Sequence, residues 1–291
     1  MRDSIIRYGL VPAFLLGGNG LGIWFAHVGA PVWQRLLGIA LAIGAMLLAE
    51  RVLPYAWAWN RDHGDQRRDV WHALVNTALN YIGVWLLPLF ASLGVFSVFW
   101  PADWPFWLQV VFAILVLDVG ITLTHYASHR SALLWRFHAV HHSVERMYGF
   151  NGLMKHPVHQ TIETLGGIVP LLLLGIPSAV ASAVVFAVAI QLLLQHSNVD
   201  YRTGPLKYLL AVAEVHRFHH RKSAGLGDVN FGLFTTLWDH VLGTFYYSDD
   251  PVPASELGIG DRPDYPRGYG AQLLEPFRLN VPTSVARSRD A

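Results

Sequence analysis

The histidines are the residues of this sequence that are best placed to carry chemistry. Eleven of the 15 histidines fall between positions 125 and 220, in spaced groups. Residues three or four apart in a helix share one face, so such a group presents at least two imidazoles in one direction. The groups are His125-x3-His129, His138-x2-His141-His142, His156-x2-His159, His196 and His216-x2-His219-His220. This spacing predicts a metal site.

The absence of cysteine narrows the choice of metal. Without thiolates, a metal must be held by His, Asp, Glu or Asn, and imidazole-rich sites suit iron, zinc, copper or nickel. Nine or ten ligands are too many for one ion, whereas two ions with four or five nitrogens each account for them. Iron is the natural metal for activating O₂ against an unactivated C–H bond. We therefore predict two iron ions, with zinc as a substitute, and O₂ as co-substrate.

One carboxylate stands close to the first histidine group. Asp118 precedes His125 by seven residues, or two helical turns, and so shares its helix face. Carboxylates inside membrane segments are costly and usually functional. We predict that Asp118 orients a ligand imidazole through a hydrogen bond.

The elements that must position these residues are membrane helices. The chain is 53% apolar and 14% charged, where a soluble domain carries about 25% charged residues. Segments with about the 20 apolar residues that a bilayer requires lie at 5–27, 33–53, 74–99 and 105–125, followed by a pair at 160–175 and 178–195. The Gly-Ile-Pro-Ser turn at 175–178 makes that pair a hairpin. The sequence thus predicts an all-α integral membrane protein with about four full spanning helices plus a membrane hairpin.

The basic residues predict the orientation. With the N-terminus inside, the outer connections are 28–34, 98–104 and 175–178, and Arg35 is the one basic residue near them. Short cytoplasmic loops are enriched in Lys and Arg. We therefore expect an inner (cytoplasmic) membrane protein with both termini and the metal site on the cytoplasmic side. The net charge of +1 gives no indication of a nucleic-acid partner.

This topology brings every histidine group to one membrane face. His125 and His129 end the fourth span, residues 138–142 follow on a short interfacial helix, and the hairpin leaves near His159 and returns near His196. The last group opens a polar segment that we interpret as a cytoplasmic, histidine-rich helical cap. We divide the chain into N-terminal transmembrane helices (1–104), a catalytic domain (105–248) and a loosely structured cytoplasmic C-terminal tail (249–291).

Taken in order, the motifs between about 115 and 247 resemble the fatty acid hydroxylase/sterol desaturase superfamily. The segments that carry the resemblance are HYASHR at 125–130, LWRFHAVHHS at 134–143, KHP at 155–157, HRFHH at 216–220, DVNFG at 228–232 and LWDHVLGT at 237–244. The resemblance implies a non-haem di-iron centre and a separate electron donor of ferredoxin or cytochrome type with its reductase. It implies metal ligation by His125, His129, His138, His141, His142, His156, His196, His216, His219 and His220.

Two residues depart from the pattern of that superfamily. Lys155 stands where many members have Arg, and His159 stands where an acidic residue is common. The second departure leaves open whether His159 is a ligand or a group that orients one. The role of His240 is open in the same way.

The expected function is an O₂-dependent membrane lipid hydroxylase that acts on a fatty acyl, sterol-like or other lipid. Desaturation at the same centre is the alternative, and hydroxylation is favoured by family tendency alone. A metal transporter would place its site near the bilayer midplane, and a haem carrier would pair axial histidines across spans. A zinc hydrolase would need a Glu general base, for which Glu145, Glu163 and Glu214 are candidates.

Overall fold

The computed structural model describes residues 2–90 and 97–278, and in these residues the chain is a helical bundle with isolated β-bridges and no β-strand. The first half contains three long helical segments. Helix α1 (Arg2–Pro12) continues through a π-helical turn (Ala13–Gly18) into α2 (Asn19–His27), and α3 (Val32–Val52) and α4 (Gln66–Phe90) follow.

The second half alternates long helices with short ones. The long helices are α5 (Phe106–Arg130), α7 (Pro157–Leu173) and α8 (Ser178–His196). The short ones are α6 (Ala132–His142), α9 (Ala213–His219), α10 (Ala224–Gly227), α11 (Leu237–Leu242) and α12 (Tyr269–Leu274).

The prediction of an all-α membrane protein is confirmed. Among the described residues, four helices are long and apolar enough to cross a membrane: Asp3–His27, Val32–Val52, Phe106–Arg130 and Ser178–His196. The predicted third span, 74–99, begins inside α4, and its residues 91–96 lie outside the described part of the chain. The predicted hairpin is formed by α7 and α8, and Gly175 in its turn has a φ of 75°, a conformation that glycine adopts without strain.

Helices α5 and α7 approach each other closely through glycine. A Cβ on Gly120 would lie 2.1 Å from the carbonyl oxygen of Gly166, and a Cβ on Gly166 would lie 2.1 Å from Thr124 Oγ1. Small residues at a contact between membrane helices let the two backbones meet. This contact fixes the end of α5, which carries His125 and His129, against the start of α7.

Helix α8 lies in the middle of the bundle and contacts α2, α3, α5 and α9. Its two glutamines bond to backbone carbonyls of the later, shorter segments of the chain. The Gln191 side chain donates to the carbonyl oxygens of Ala211 and Leu233, and the Gln195 side chain donates to Gly232. These bonds satisfy buried backbone carbonyls and hold the 231–234 loop against the bundle.

The expectation of a loosely structured C-terminal tail is wrong for residues 249–278. Leu257 is buried, Gln272 bonds His72 Nε2, and Arg262 pairs with Glu275. Residues 249–278 are held in place by backbone contacts, ion pairs and single buried side chains. Such contacts produce no periodic hydrophobic pattern, so the sequence did not indicate them. The segment packs on the same end of the bundle as the histidines.

Candidate metal centre

Nine of the ten histidines predicted as ligands come together in two buried groups. They lie at one end of the bundle, where α5 and α8 end and where α6 and α9 are attached. The first, group A, contains His125, His129, His138, His142 and His219; the second, group B, contains His141, His196, His216 and His220. In each group, one nitrogen from every ring lies within 4.8 Å of the others.

In group A the Nε2 atoms face one another. His138 Nε2 lies 3.0 Å from both His125 Nε2 and His142 Nε2, and His129 Nε2 lies 3.1 Å from His142 Nε2. The His219 ring packs against the same residues, 4.6 Å from the His142 ring. Nitrogens about 3 Å apart are compatible with ligands at about 2.0–2.1 Å from one shared ion.

Group B repeats the arrangement with four rings. His196 Nε2 lies 3.3 Å from His141 Nε2 and from His220 Nε2, and His220 Nε2 lies 3.1 Å from His216 Nε2. His196 comes from the end of α8, so the membrane hairpin supplies one side of this group. The two groups adjoin each other, because the His142 and His220 rings stack with centroids 4.8 Å apart.

Each HxxHH box is divided between the two groups. The box on α6 gives its first and last histidines to group A and the middle one, His141, to group B. The box on α9 does the reverse and gives His219 to group A. Neighbouring residues on a helix point about 100° apart, so a box with both i+3 and i+4 histidines serves two centres side by side. The spacing therefore fits a pair of ions better than one.

Hydrogen bonds from Nδ1 orient three of the five group A rings. His125 Nδ1 donates to Phe231 O, and His219 Nδ1 donates to Val229 O, each over 2.8 Å. His129 Nδ1 donates to Asp228 Oδ1, also over 2.8 Å. With the hydrogen on Nδ1, the Nε2 lone pair points into the group, which is the usual orientation of metal-binding histidines.

The donor set fits a metal. Burial lowers the pKa of His138, His142 and His219 well below its usual value, so these rings are neutral and carry a free lone pair. His219 Nε2 is buried and has no hydrogen-bond partner among the described residues. Several lone pairs that converge without a hydrogen between them repel one another, and a shared cation removes that repulsion. The nitrogen-only set suits iron, zinc, copper or nickel.

His159 occupies a third, smaller cluster with His138 and Glu163. Its Nε2 contacts Ser128 Oγ at 2.9 Å, and its Nδ1 lies 3.4 Å from His138 Nδ1. Lys155 pairs with Glu163 on the far side. His159 therefore lies behind a group A histidine and supports its ring.

His156 lies apart from both groups, contrary to the expectation that it is a ligand. Pro157 begins α7, which makes His156 the residue before the helix, and His156 Nδ1 accepts from Val158 N. Its Nε2 donates to Leu273 O in the C-terminal segment. Both nitrogens are thus used in holding the chain, although the spacing to His159 is that of a ligand pair. His240 likewise bonds a backbone carbonyl, that of Tyr208.

Asp118 shares the helix face of His125 but does not contact an imidazole. Its oxygens accept from Phe234 N at 2.7 Å and from the Thr235 backbone and hydroxyl. The predicted hydrogen bond to a ligand is therefore corrected: Asp118 holds the 231–235 loop, and Phe231 O of that loop orients His125. Asp118 therefore positions His125 indirectly, by holding the loop whose carbonyl accepts from that ring.

Two carboxylates beside this loop are positioning residues whose contacts the sequence did not predict: Asp228, which the sequence suggested shapes either a loop over the site or a turn, and Asp239, which had no predicted role. Asp228 contacts His129, and Asp239 accepts from Phe231 N and Gly232 N. Both stand in segments that carry the family resemblance, DVNFG and LWDHVLGT. The glycines around Asp228 are also typical of a turn. The contact to His129 could not be predicted from the motif, because the two residues are 99 positions apart.

We expect Asp228→Asn to weaken the centre without unfolding the protein. The amide oxygen can still accept from His129 Nδ1, but it lacks the charge that raises the basicity of the ring. Loss of such an outer partner typically costs about 10–100-fold in metal affinity or activity. Competition with a chelator measures the affinity, and Asp249→Asn, at a side chain that is 94% exposed, is the control. Equal affinities in the two variants would contradict the orienting role.

Comparisons with known proteins bear on the same region. A family model described as fatty acid hydroxylase matches residues 110–244. The ornithine lipid hydroxylase OlsE of Rhizobium tropici is 34% identical over 282 residues, which cover 92% of this chain and 83% of that protein. An alkylglycerol monooxygenase of Xenopus tropicalis is 24% identical over 81% of this chain and half of its own length. The sphingolipid C4-hydroxylase sur2 of Schizosaccharomyces pombe is 29% identical over half of each chain. Solved structures gave no significant match.

Proposed function

Because the chain belongs to the fatty acid hydroxylase/sterol desaturase superfamily, we propose that groups A and B hold one iron ion each and that this pair serves lipid hydroxylation with O₂. The observation that carries the proposal is the division of both HxxHH boxes between two adjacent histidine groups. The protein is an integral membrane lipid hydroxylase, and desaturation is not favoured, since the matched relatives are hydroxylases and a monooxygenase.

The bound iron pair would activate O₂ so that one oxygen atom enters a C–H bond of the lipid and the other leaves as water, with two electrons and two protons supplied from outside. The chain itself orients the imidazoles, and Phe231 shields one side of group A from water. Phe231 is fully buried and its ring lies 5.0–5.4 Å from the rings of His125, His129 and His219. A dry wall of this kind strengthens electrostatic interactions within the site.

We assign an ornithine-type aminolipid as the substrate class. The support is the relative named ornithine lipid hydroxylase, whose match extends over nearly the whole chain, whereas the alkylglycerol and sphingolipid enzymes match over about half of their own length. A separate electron donor of ferredoxin or cytochrome type supplies the electrons.

We further propose that the histidine end faces the cytoplasm of the inner membrane. The support is the placement of basic residues, which leaves Arg35 alone near the opposite connections. A reporter fused at either terminus should be cytoplasmic, and a cysteine introduced in the 98–104 loop should react with an impermeant reagent from outside. The reverse labelling pattern would contradict this orientation.

The function is tested by comparing lipids from cells that produce the wild-type protein with lipids from cells that produce His219→Ala. We expect an aminolipid whose mass increases by one oxygen in the wild type alone. Loss of two hydrogens instead would indicate desaturation, and unchanged lipids with an iron-loaded protein would contradict the proposal.

A further inference from the structure

A cavity of about 380 Å³ opens from the surface onto group A. Three group A histidines, His129, His142 and His219, supply one part of its lining, called here the inner wall, and residues 258–261 supply another, called the outer wall. Its volume lies within the range of about 300–1,000 Å³ that is usual for small-molecule sites. Any occupant of this cavity is next to the proposed metal.

The two walls have different origins in the sequence. The histidines lie inside the segment 110–244 that matches the family model, whereas Gly258, Ile259, Gly260 and Asp261 lie beyond it. The inner wall thus belongs to the part that carries the chemistry. The outer wall is supplied by a segment outside the common catalytic region, and such a segment can determine substrate specificity without altering the metal centre.

The outer wall is firmly attached. Lys222 N donates to Glu256 O at 2.7 Å, and Gly260 N donates back to Lys222 O at 3.2 Å. A Cβ on Gly260 would lie 2.9 Å from Lys222 O, so the two backbones are in close contact. The side chains of Arg221 and Glu256 pair beside them, with Nε to Oε2 at 2.8 Å. This attachment gives the cavity a defined shape.

The cavity is lined by four charged residues, of which, within the described part of the chain, two are paired with other side chains and two are not: Arg221, Lys222, Asp228 and Asp261. Arg221 is paired with Glu256, and Asp228 is paired with His129. Lys222 and Asp261 are exposed, and no hydrogen bond or ion pair of their side chains is found within residues 2–90 and 97–278. A bare alkyl chain gains nothing from these groups, whereas a ligand with both charges can pair with each.

We propose that this cavity is the headgroup subsite of the enzyme and that it selects lipids whose headgroup carries both a carboxylate and an ammonium group. Lys222 pairs with the carboxylate, Asp261 pairs with the ammonium, and the 258–261 wall limits headgroup size. The inference rests on the proposed function, and it makes the C-terminal segment a specificity determinant.

The subsite is tested by binding, without O₂ or reductant, so that the result does not depend on turnover. The full-length, iron-loaded protein in nanodiscs is titrated with three probes: ornithine lipid, its methyl ester, and its N-acetylated form. Wild type is compared with Lys222→Met and Asp261→Asn. The control is Arg267→Met, which removes an exposed charge of the same C-terminal segment; Arg267 pairs with Glu145 and does not line this cavity. Iron content confirms that each variant is folded.

We expect Lys222→Met to weaken ornithine lipid binding roughly three- to tenfold and to leave methyl ester binding unchanged. Asp261→Asn should likewise weaken ornithine lipid binding and leave binding of the N-acetylated lipid unchanged. Each variant and its modified lipid then form a thermodynamic cycle with wild type and ornithine lipid, and the cycle gives the coupling energy of the pair. Equal affinity of all variants for all three probes would overturn the subsite. Coupling in this binding assay, together with no oxidised lipid in the cell comparison described above, would support the subsite and contradict the proposed reaction. Oxidised lipid in cells without coupling in the binding assay would support the reaction and contradict the subsite.

Discussion

His219→Ala and His216→Ala are each expected to lower the metal content from two ions per chain to one and to abolish lipid hydroxylation. The two residues stand three positions apart on α9, yet His219 belongs to group A and His216 to group B. Each substitution therefore removes a ligand from a different ion in the same helix context. The loss of turnover should exceed the roughly 10–100-fold that is typical for partners of a ligand.

Elemental analysis of the purified variants checks this result, and the double variant should retain no stoichiometric metal. His63→Ala is the matched control, because this histidine is exposed and lies in neither group. Full iron content and wild-type turnover in both single variants would rule out two separate histidine-bound ions.

Gly120→Ala should produce the second large effect, a loss of stability that also disturbs the metal centre. The new methyl group would lie 2.1 Å from Gly166 O, which is backbone and can move only if α5 and α7 separate. Overpacking of this kind costs about 1–3 kcal/mol, occasionally more. Because α5 carries His125 and His129, we expect both a lower Tm and weaker metal binding.

Gly44→Ala provides the control for this substitution. Gly44 lies within α3, and within residues 2–90 and 97–278 no atom beyond its own stretch of helix lies within 4 Å of the position that an alanine methyl group would take. Alanine therefore adds no clash there and favours the helix by about 0.5–1 kcal/mol. A Tm for Gly120→Ala equal to that of Gly44→Ala would show that the two helices can separate without cost.

The local features of this protein were predictable because they depend on neighbours in the chain. Apolar segments of bilayer length indicated the membrane helices, and the i+3 and i+4 histidine spacing indicated that the imidazoles share helix faces. The division of each box between groups A and B follows from the same helix geometry, but which histidine joins which group depends on how α6 and α9 face each other. That relation arises from packing across the hairpin.

The errors share one physical cause, which is contact between distant parts of the chain. The face of Asp118 was predicted correctly, but its partners, Phe234 and Thr235, lie more than 100 positions away. His156 has ligand spacing, and its direction is decided by Pro157 and by Leu273 O. The C-terminal segment lacks periodicity because its order comes from ion pairs and backbone bonds to the catalytic region.

Oxygen-isotope incorporation tests the central claim most directly. The iron-loaded wild-type protein in nanodiscs is supplied with ornithine lipid, a chemical or enzymatic reductant and ¹⁸O₂, and the lipid is analysed by mass spectrometry. We expect one heavy oxygen atom in the product, with none in His219→Ala and none when the label is in water. A lipid that gains oxygen from water, or that is cleaved by the metal-loaded protein without O₂, would contradict the account.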